Sequence, residues 1–323
     1  MEAYPVTTVP DEAPASAPAP KRKRPLWREL RKNYDLYLYL VPGFFYFVIF
    51  CYIPMFGIII AFKQYNIFQG ILESPWNGLE NFYEAFRMPA FSNMIKNTLV
   101  LNILGLLIGF PAPIILAIML NELRAKVFKR ISQSLLYLPH FMSWIVLGGI
   151  VYQILSPKYG IVNEILQWFG LPSVYFMIDK GWWIAVYVLS GIWQGAGWGT
   201  ILYLATMTTI DPALYEAAVI DGAGRWKRIK HITIPGIMPT MAVLLIFAIG
   251  GMVSIGFEHP FALANPVVND VSTVLSIGIY ELGIMRGAYS ITTAIGLAQS
   301  LVNLVLLLSA NYAVRKMGHD GLW

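Results

Sequence analysis

Apolar residues run in long stretches separated by short polar segments, and six of the stretches are long enough to cross about 30 Å of hydrocarbon, which takes roughly 20 helical residues. They lie at about 36–62, 98–120, 131–155, 182–209, 237–256 and 293–312. Prolines fall inside the first three: Pro42 and Pro54, then Pro111 and Pro113, then Pro139. Within a bundle, neighbouring helices satisfy the carbonyls that such prolines free. The pattern predicts an all-α, polytopic membrane protein with six transmembrane helices. The longest segments between spans, 63–97 and 257–292, are expected to be external loops, and no repeat or second soluble domain has room to fold.

Composition agrees with lipid as the solvent. Of 323 residues 57% are hydrophobic and 13% charged, whereas a soluble domain carries about a quarter charged residues. The net charge of +5 changes meaning once its positions are read. Seven Lys and Arg precede the first span, four lie between spans two and three, four between spans four and five and two at the C-terminus, against six on the other side. Cytoplasmic segments retain Lys and Arg, so both termini are expected in the cytoplasm of a bacterial cell, and no nucleic-acid partner is implied. Residues 1–33 form a separate tail, Pro/Ala-rich and expected to be disordered, then polybasic from Lys21 to Arg24 as a topology anchor facing anionic lipid. The long apolar run after it does not resemble a signal peptide. Cys51 is the single cysteine, so no intrachain disulfide forms.

Several chemistries lack their residues. No G-x-x-x-x-G-K-[ST] loop is present to cradle a nucleotide phosphate, and His140, His231, His259 and His319 are too scattered for a metal site. The nearest approach to an enzyme cluster, His140 with Glu258 and His259, reads as loop polarity. Spans almost free of ionisable groups argue against an embedded enzyme or a proton-coupled transporter. The spacings Gly105 to Gly109 and Gly195 to Gly199 suit close helix packing.

The informative segment lies between spans four and five, on the cytoplasmic side. Asp211 is placed as an N-cap, Pro212 at the first helical position and Gly222 as a left-handed terminator, which predicts a short helix at about 211–224. Ala213, Ala217 and Ala218 leave its backbone open to close approach, with Leu214, Tyr215 and Glu216 beside them. It is too acidic and small for a headgroup-bound helix and fits a protein partner better.

Glu216-Ala217-Ala218, three residues, Gly222, then Ile232-Thr233-Ile234-Pro235 resemble the E-A-A-x-x-x-G signature, with its I-x-[LI]-P ending, of ABC importer permeases. The resemblance extends over about 33–323 to the maltose-permease-like carbohydrate branch. It is carried by Gly78 to Phe82 with Asn97-Thr98, by Tyr137 to Trp144, by Gly160 to Asn163, by Gly256-Phe257-Glu258, by Asn265-Pro266 and by Gly321-Leu322-Trp323. Within the branch the chain is most similar to polysaccharide permeases of the alginate and rhamnogalacturonan type.

The resemblance implies a type I permease fold over 34–323 in the bacterial inner membrane. It also implies a coupling helix in which Tyr215, Glu216, Ala217, Ala218, Asp221 and Gly222 engage an ATPase. Implied partners are a second homologous permease, two ATPase subunits that bind the ATP and Mg, an external solute-binding protein and an oligo- or polysaccharide. The chain itself is expected to hold no cofactor and to be no enzyme. Candidates for the solute path are Trp193, Gln194, Tyr203, Gln299 and Asn303, since sugars are met by aromatic faces and planar amides; interface and helix-packing roles suit the same residues. The alternatives are a permease for a different solute or an ATP-independent secondary transporter.

Overall fold

The computed structural model describes residues 34–318 with Gly321 and Leu322, and the regular elements among these are all helices, joined by turns and irregular segments, with one isolated bridge between Lys63 and Trp76. The tail 1–33, His319, Asp320 and Trp323 lie outside the described residues. The chain divides into two units, Met1–Gly57 and Ile58–Trp323. In the first, helix Tyr34–Phe47 passes Pro42 and widens into a π-turn at Val48–Tyr52, with no residue buried. It opens the run Tyr34–Phe62 (α1), which is long and apolar enough to span.

In the second unit Glu80–Arg87 (α2) precedes the span Pro89–Glu122 (α3), which starts nine residues earlier than its hydropathy predicts. Pro111 explains the π-turn at Gly105–Gly109: without an N–H it cannot close the normal bond, and the wider turn absorbs the mismatch. Lys126–Tyr137 (α4) and Trp144–Ile154 (α5) meet at 107°, so the third span is bent, not straight. A 3-10 turn containing Pro139 ends α4, and Ser143 restarts the chain by accepting a hydrogen bond from Val146 N–H. Ile161–Trp168 (α6) leads to the 28-residue Lys180–Met207 (α7), the fourth predicted span. It is long enough to cross, although Trp, Tyr and Gly dilute its hydropathy.

The short helix Pro212–Ile220 (α8) then leads to the run Arg225–Gly250 (α9), which ends six residues before the predicted boundary of span five. Residues 257–292 are not the open loop that was expected. They fold into Glu258–Leu263 (α10) and a pair, Pro266–Ser272 with Leu275–Met285, bent by 114°. Their apolar side chains Leu263, Val268 and Val274 are wholly buried. With span five ending outside and span six, Tyr289–Lys316 (α11), starting there, this pair must return to the side it entered and is re-entrant.

Four asparagines in the resemblance segments hold this framework through bonds to backbone, and three of them are nearly inaccessible. Asn81 donates to the carbonyls of Ala61 and Lys63. Asn163 donates to Leu155, Ser156 and Val174 and accepts from Val174 N–H. Asn97 Nδ2 donates to the carbonyls of Asp270 (2.8 Å) and Thr273 (2.9 Å), while Thr98 Oγ1 accepts from Leu275 N–H, so one turn of α3 clamps the re-entrant bend. Asn265, half-buried, ties the entrance of that pair to Met177.

Close packing centres on α3 against α7. A Cβ at Gly199 would lie 2.9 Å from Pro113, and one at Gly109 would touch Ile192. Gly197 lies against the Leu136 backbone. Gly105 and Gly195, the other members of the two glycine pairs, face open space.

Candidate functional site

The segment between α7 and α9 forms as its sequence predicts. Asp211 accepts a hydrogen bond from Ala213 N–H at 2.9 Å, and Pro212 occupies the first turn. At the other end Gly222 has φ +71°. Gly222 N–H bonds to Val219 O and Ala223 N–H to Ala218 O, the paired bonds of a Schellman terminator. Both ends are thus fixed by local chemistry.

No residue of α8 is buried. Ala213, Glu216 and Ala217 are exposed, and Ile220 is 86% exposed, with Trp226 just beyond at 83%. Ala218 and Tyr215 are half-buried and form its underside. There the Tyr215 hydroxyl meets Thr233 Oγ1 at 3.0 Å, and Thr233, fully enclosed, lies in the π-turn Ile229–Thr233 at the root of span five. Pro235, lacking a donor, accounts for that π-turn. A second tie, Arg225 Nε to Glu122 Oε2 at 3.6 Å, joins the segment to the end of α3. Glu216 and Asp221 have no ion-pair partner among the described residues.

A second region lies within the membrane, where α9 stops. From Gly251 to Gly256 the chain is unwound, leaving carbonyls that lipid cannot satisfy. Gln299 donates to Val253 O (2.8 Å) and to Ser254 Oγ (2.9 Å). Asn303 donates to Ser254 Oγ and accepts from Val253 N–H. Asn102 of α3 donates to Met252 O at 2.7 Å. Gln299 and Asn303, one helical turn apart, therefore act together on this unwound strand.

Asn102 also lines a cavity of about 290 Å³ between α3 and α7, where Gly105, Gly191 and Gly195 remove side-chain bulk. Tyr187 and His259 form its aromatic wall. The His259 ring is sandwiched between Trp144 (centroids 3.6 Å apart) and Tyr187 (3.9 Å), with Nε2 3.2 Å from Ser190 Oγ. His140 stacks instead on Trp198, and the described residues contain no His, Cys, Asp and Glu cluster fit to hold a metal.

The other predicted path residues disperse. Tyr203 is 1% exposed and packs with Ile114, Met207 and Ile237, so its ring faces no cavity. Trp193 lines a different, apolar groove with Ile150, Ile154 and Leu189. Gln194 is half-buried with no side-chain partner among the described residues. Asn102, Tyr187 and His259 were missed. Asn102 alone had a legible signal, an amide in the middle of an apolar run.

Six spans, a re-entrant pair and an exposed, doubly capped cytoplasmic helix define a multi-pass membrane permease subunit. Residues 109–319 match the family described as binding-protein-dependent transport system inner membrane component, and the chain belongs to that family. It is an ABC-type permease of the inner membrane, with the type I fold. The polygalacturonan/rhamnogalacturonan transport system permease protein YteP of Bacillus subtilis is 43% identical over 303 residues, 94% of each chain. Protein LplB of the same organism is 42% identical, over 91% of this chain and 92% of its own. The crystal structure of a bacterial ABC transporter involved in the import of the acidic polysaccharide alginate includes a chain with TM-score 0.83 and 42% identity, covering 90% of this chain and 98% of that one. The crystal structure of a bacterial alginate ABC transporter in complex with an alginate pentasaccharide-bound periplasmic protein includes a chain with TM-score 0.84 and 41% identity, covering 92% of this chain and 99% of that one.

Proposed function

We propose that this chain is the channel-forming subunit of an ABC importer for an acidic oligo- or polysaccharide. The observation that carries the substrate class is the similarity, at 42–43% identity over nearly the whole chain, to a permease named for polygalacturonan and rhamnogalacturonan and to an alginate importer chain. In this reading a second homologous permease completes the pore. Two cytoplasmic ATPase subunits bind ATP and Mg, and an external binding protein delivers the saccharide. The permease domain comprises 34–323, with 211–224 as its coupling segment and 1–33 as a separate cytoplasmic tail.

The exposed small face of α8 suits insertion into a groove of the ATPase. Two ties would carry the ATPase's movement inward: Tyr215 to Thr233 at the root of span five, and Arg225 to Glu122 at the end of α3. The route for solute would pass the cavity walled by Asn102, Tyr187 and His259 and the unwound strand held by Gln299 and Asn303. Aromatic faces and amides are the groups that meet a sugar's apolar faces and hydroxyls, and few cations lie within these spans. Charge recognition would then fall to the partner permease or the binding protein.

The test is uptake by the co-expressed complex in proteoliposomes with the loaded binding protein. Acidic oligosaccharide should stimulate ATP hydrolysis and enter; a neutral one of equal length should not. Ala217→Glu should abolish both by detaching the ATPase. Uptake by this chain alone would make it a secondary transporter, and stimulation by the neutral sugar alone would overturn the substrate class.

A further inference from the structure

Helix α4 turns its apolar edge outward. Val127, Phe128, Ile131, Leu135 and Leu138 are exposed, from 53% at Ile131 to 74% at Val127, while the polar Lys129 and Gln133 are half-buried. Between this edge and α3 runs an apolar groove of about 390 Å³, lined by Leu116, Leu120 and Leu123 on one side and Phe128, Ser132 and Leu135 on the other. The α3–α4 turn and the first turn of α4, which join the two walls, carry a basic quartet: Arg124, Lys126, Lys129 and Arg130. No Asp or Glu occurs between Glu122 and Glu164, and Glu122 already pairs with Arg225. None of the quartet has an ion-pair partner among the described residues.

We infer that this groove is a binding site for an anionic phospholipid of the cytoplasmic leaflet, with an acyl chain along the Leu116–Leu135 walls and the headgroup phosphate at the quartet. Charge complementarity selects this occupant. Unpaired cations at the cytoplasmic boundary attract anionic headgroups, and a helix with one apolar and one basic edge lies at that depth. An apolar groove leading away from them accepts hydrocarbon. Through α4, which packs on α7 at the Gly197–Leu136 contact, the lipid would brace the bend of the third span.

The experiment uses the full complex purified in detergent and titrated with phosphatidylglycerol or phosphatidylcholine, with bound lipid counted by native mass spectrometry and the melting midpoint recorded. Wild type should retain and be stabilised by phosphatidylglycerol in preference to phosphatidylcholine. The triple variant Arg124→Gln, Lys126→Gln, Arg130→Gln should lose that preference. At about 1 kcal/mol per basic residue, the fall in phosphatidylglycerol affinity is on the order of a hundredfold. Ser132→Trp, which fills the groove and keeps every charge, should also lose the bound lipid. Equal effects of the two lipids on wild type would overturn the site, as would a preference surviving in either variant. A photo-crosslinker at Leu135 in membranes should label phospholipid; labelling of a protein subunit would assign the groove to that subunit.

Discussion

The Tyr215 hydroxyl and Thr233 Oγ1, eighteen residues apart, meet at 3.0 Å and join the underside of the cytoplasmic helix to the root of span five. Tyr215→Phe removes this bond and nothing else. It should cost about 0.5–1.5 kcal/mol and leave the ATPase bound while lowering the saccharide moved per ATP hydrolysed. Paired uptake and hydrolysis measurements read that ratio; an unchanged ratio would remove Tyr215 from the coupling route.

Gly222 has a left-handed backbone with open space around its missing Cβ, so only backbone strain opposes a side chain there. Gly222→Val should lose roughly 1–3 kcal/mol of helix-end stability and release the ATPase on purification. Gly222→Asn, which tolerates this conformation, should retain it. Equal retention of the ATPase by both variants would separate the terminator from docking.

Lys180 and Asp270 pair on the external side, at the start of α7 and in the re-entrant pair. The hydrogen bond from Lys180, and then its charge, hold the Asp270 carboxyl below the ordinary carboxylate range. A depressed folded-state value means the pairing contributes above the unfolded value and is lost as pH falls through the folded one. Protection from hydrogen exchange at Asn269–Ser272, taken relative to the intrinsic exchange rate at each pH, should therefore fall in acid. The effect is small and weakened by salt, because both side chains are exposed. Asp270→Asn should show the lowered protection at every pH, and a wild-type pH dependence of protection persisting in it would place the titration elsewhere.

Asn97 bonds two carbonyls at the re-entrant bend. Asn97→Ala leaves both without that partner and should cost about 1–3 kcal/mol, seen as a lower melting midpoint of the purified complex. Asn303→Ala should lower transport more than stability, because its partner Ser254 is exposed. Equal losses of transport and stability in both would deny the unwound strand a role in the path.

What the sequence made legible follows the range of each interaction. The caps of α8 are set by neighbours within a few residues, so Asp211, Pro212 and Gly222 could be read directly. Five spans follow from hydropathy, and α7 follows from length despite its aromatic and glycine content. Residues 257–292 were misread because Asn265, Pro266, Asn269 and Asp270 break the apolar run. The bonds that bury this segment come from Asn97 and Thr98, more than 170 residues away. Hydropathy carries no direction, so the bend between α4 and α5 was equally hidden. Gln299 and Asn303 were recognised as polar, but their partners lie on another helix, and the aromatic stack on His259 draws on three separate elements.

The unwound strand between Gly251 and Gly256 has a kinetic consequence. An intact helix in hydrocarbon bends only by breaking backbone bonds that nothing nearby replaces. At this break the bonds already run to the side-chain amides of Asn102, Gln299 and Asn303. Swinging the chain on one side of the break against the other then requires amide rotamers to change and not a turn of helix to melt. Span five has its joint built in, set where its neighbours hold the cavity open.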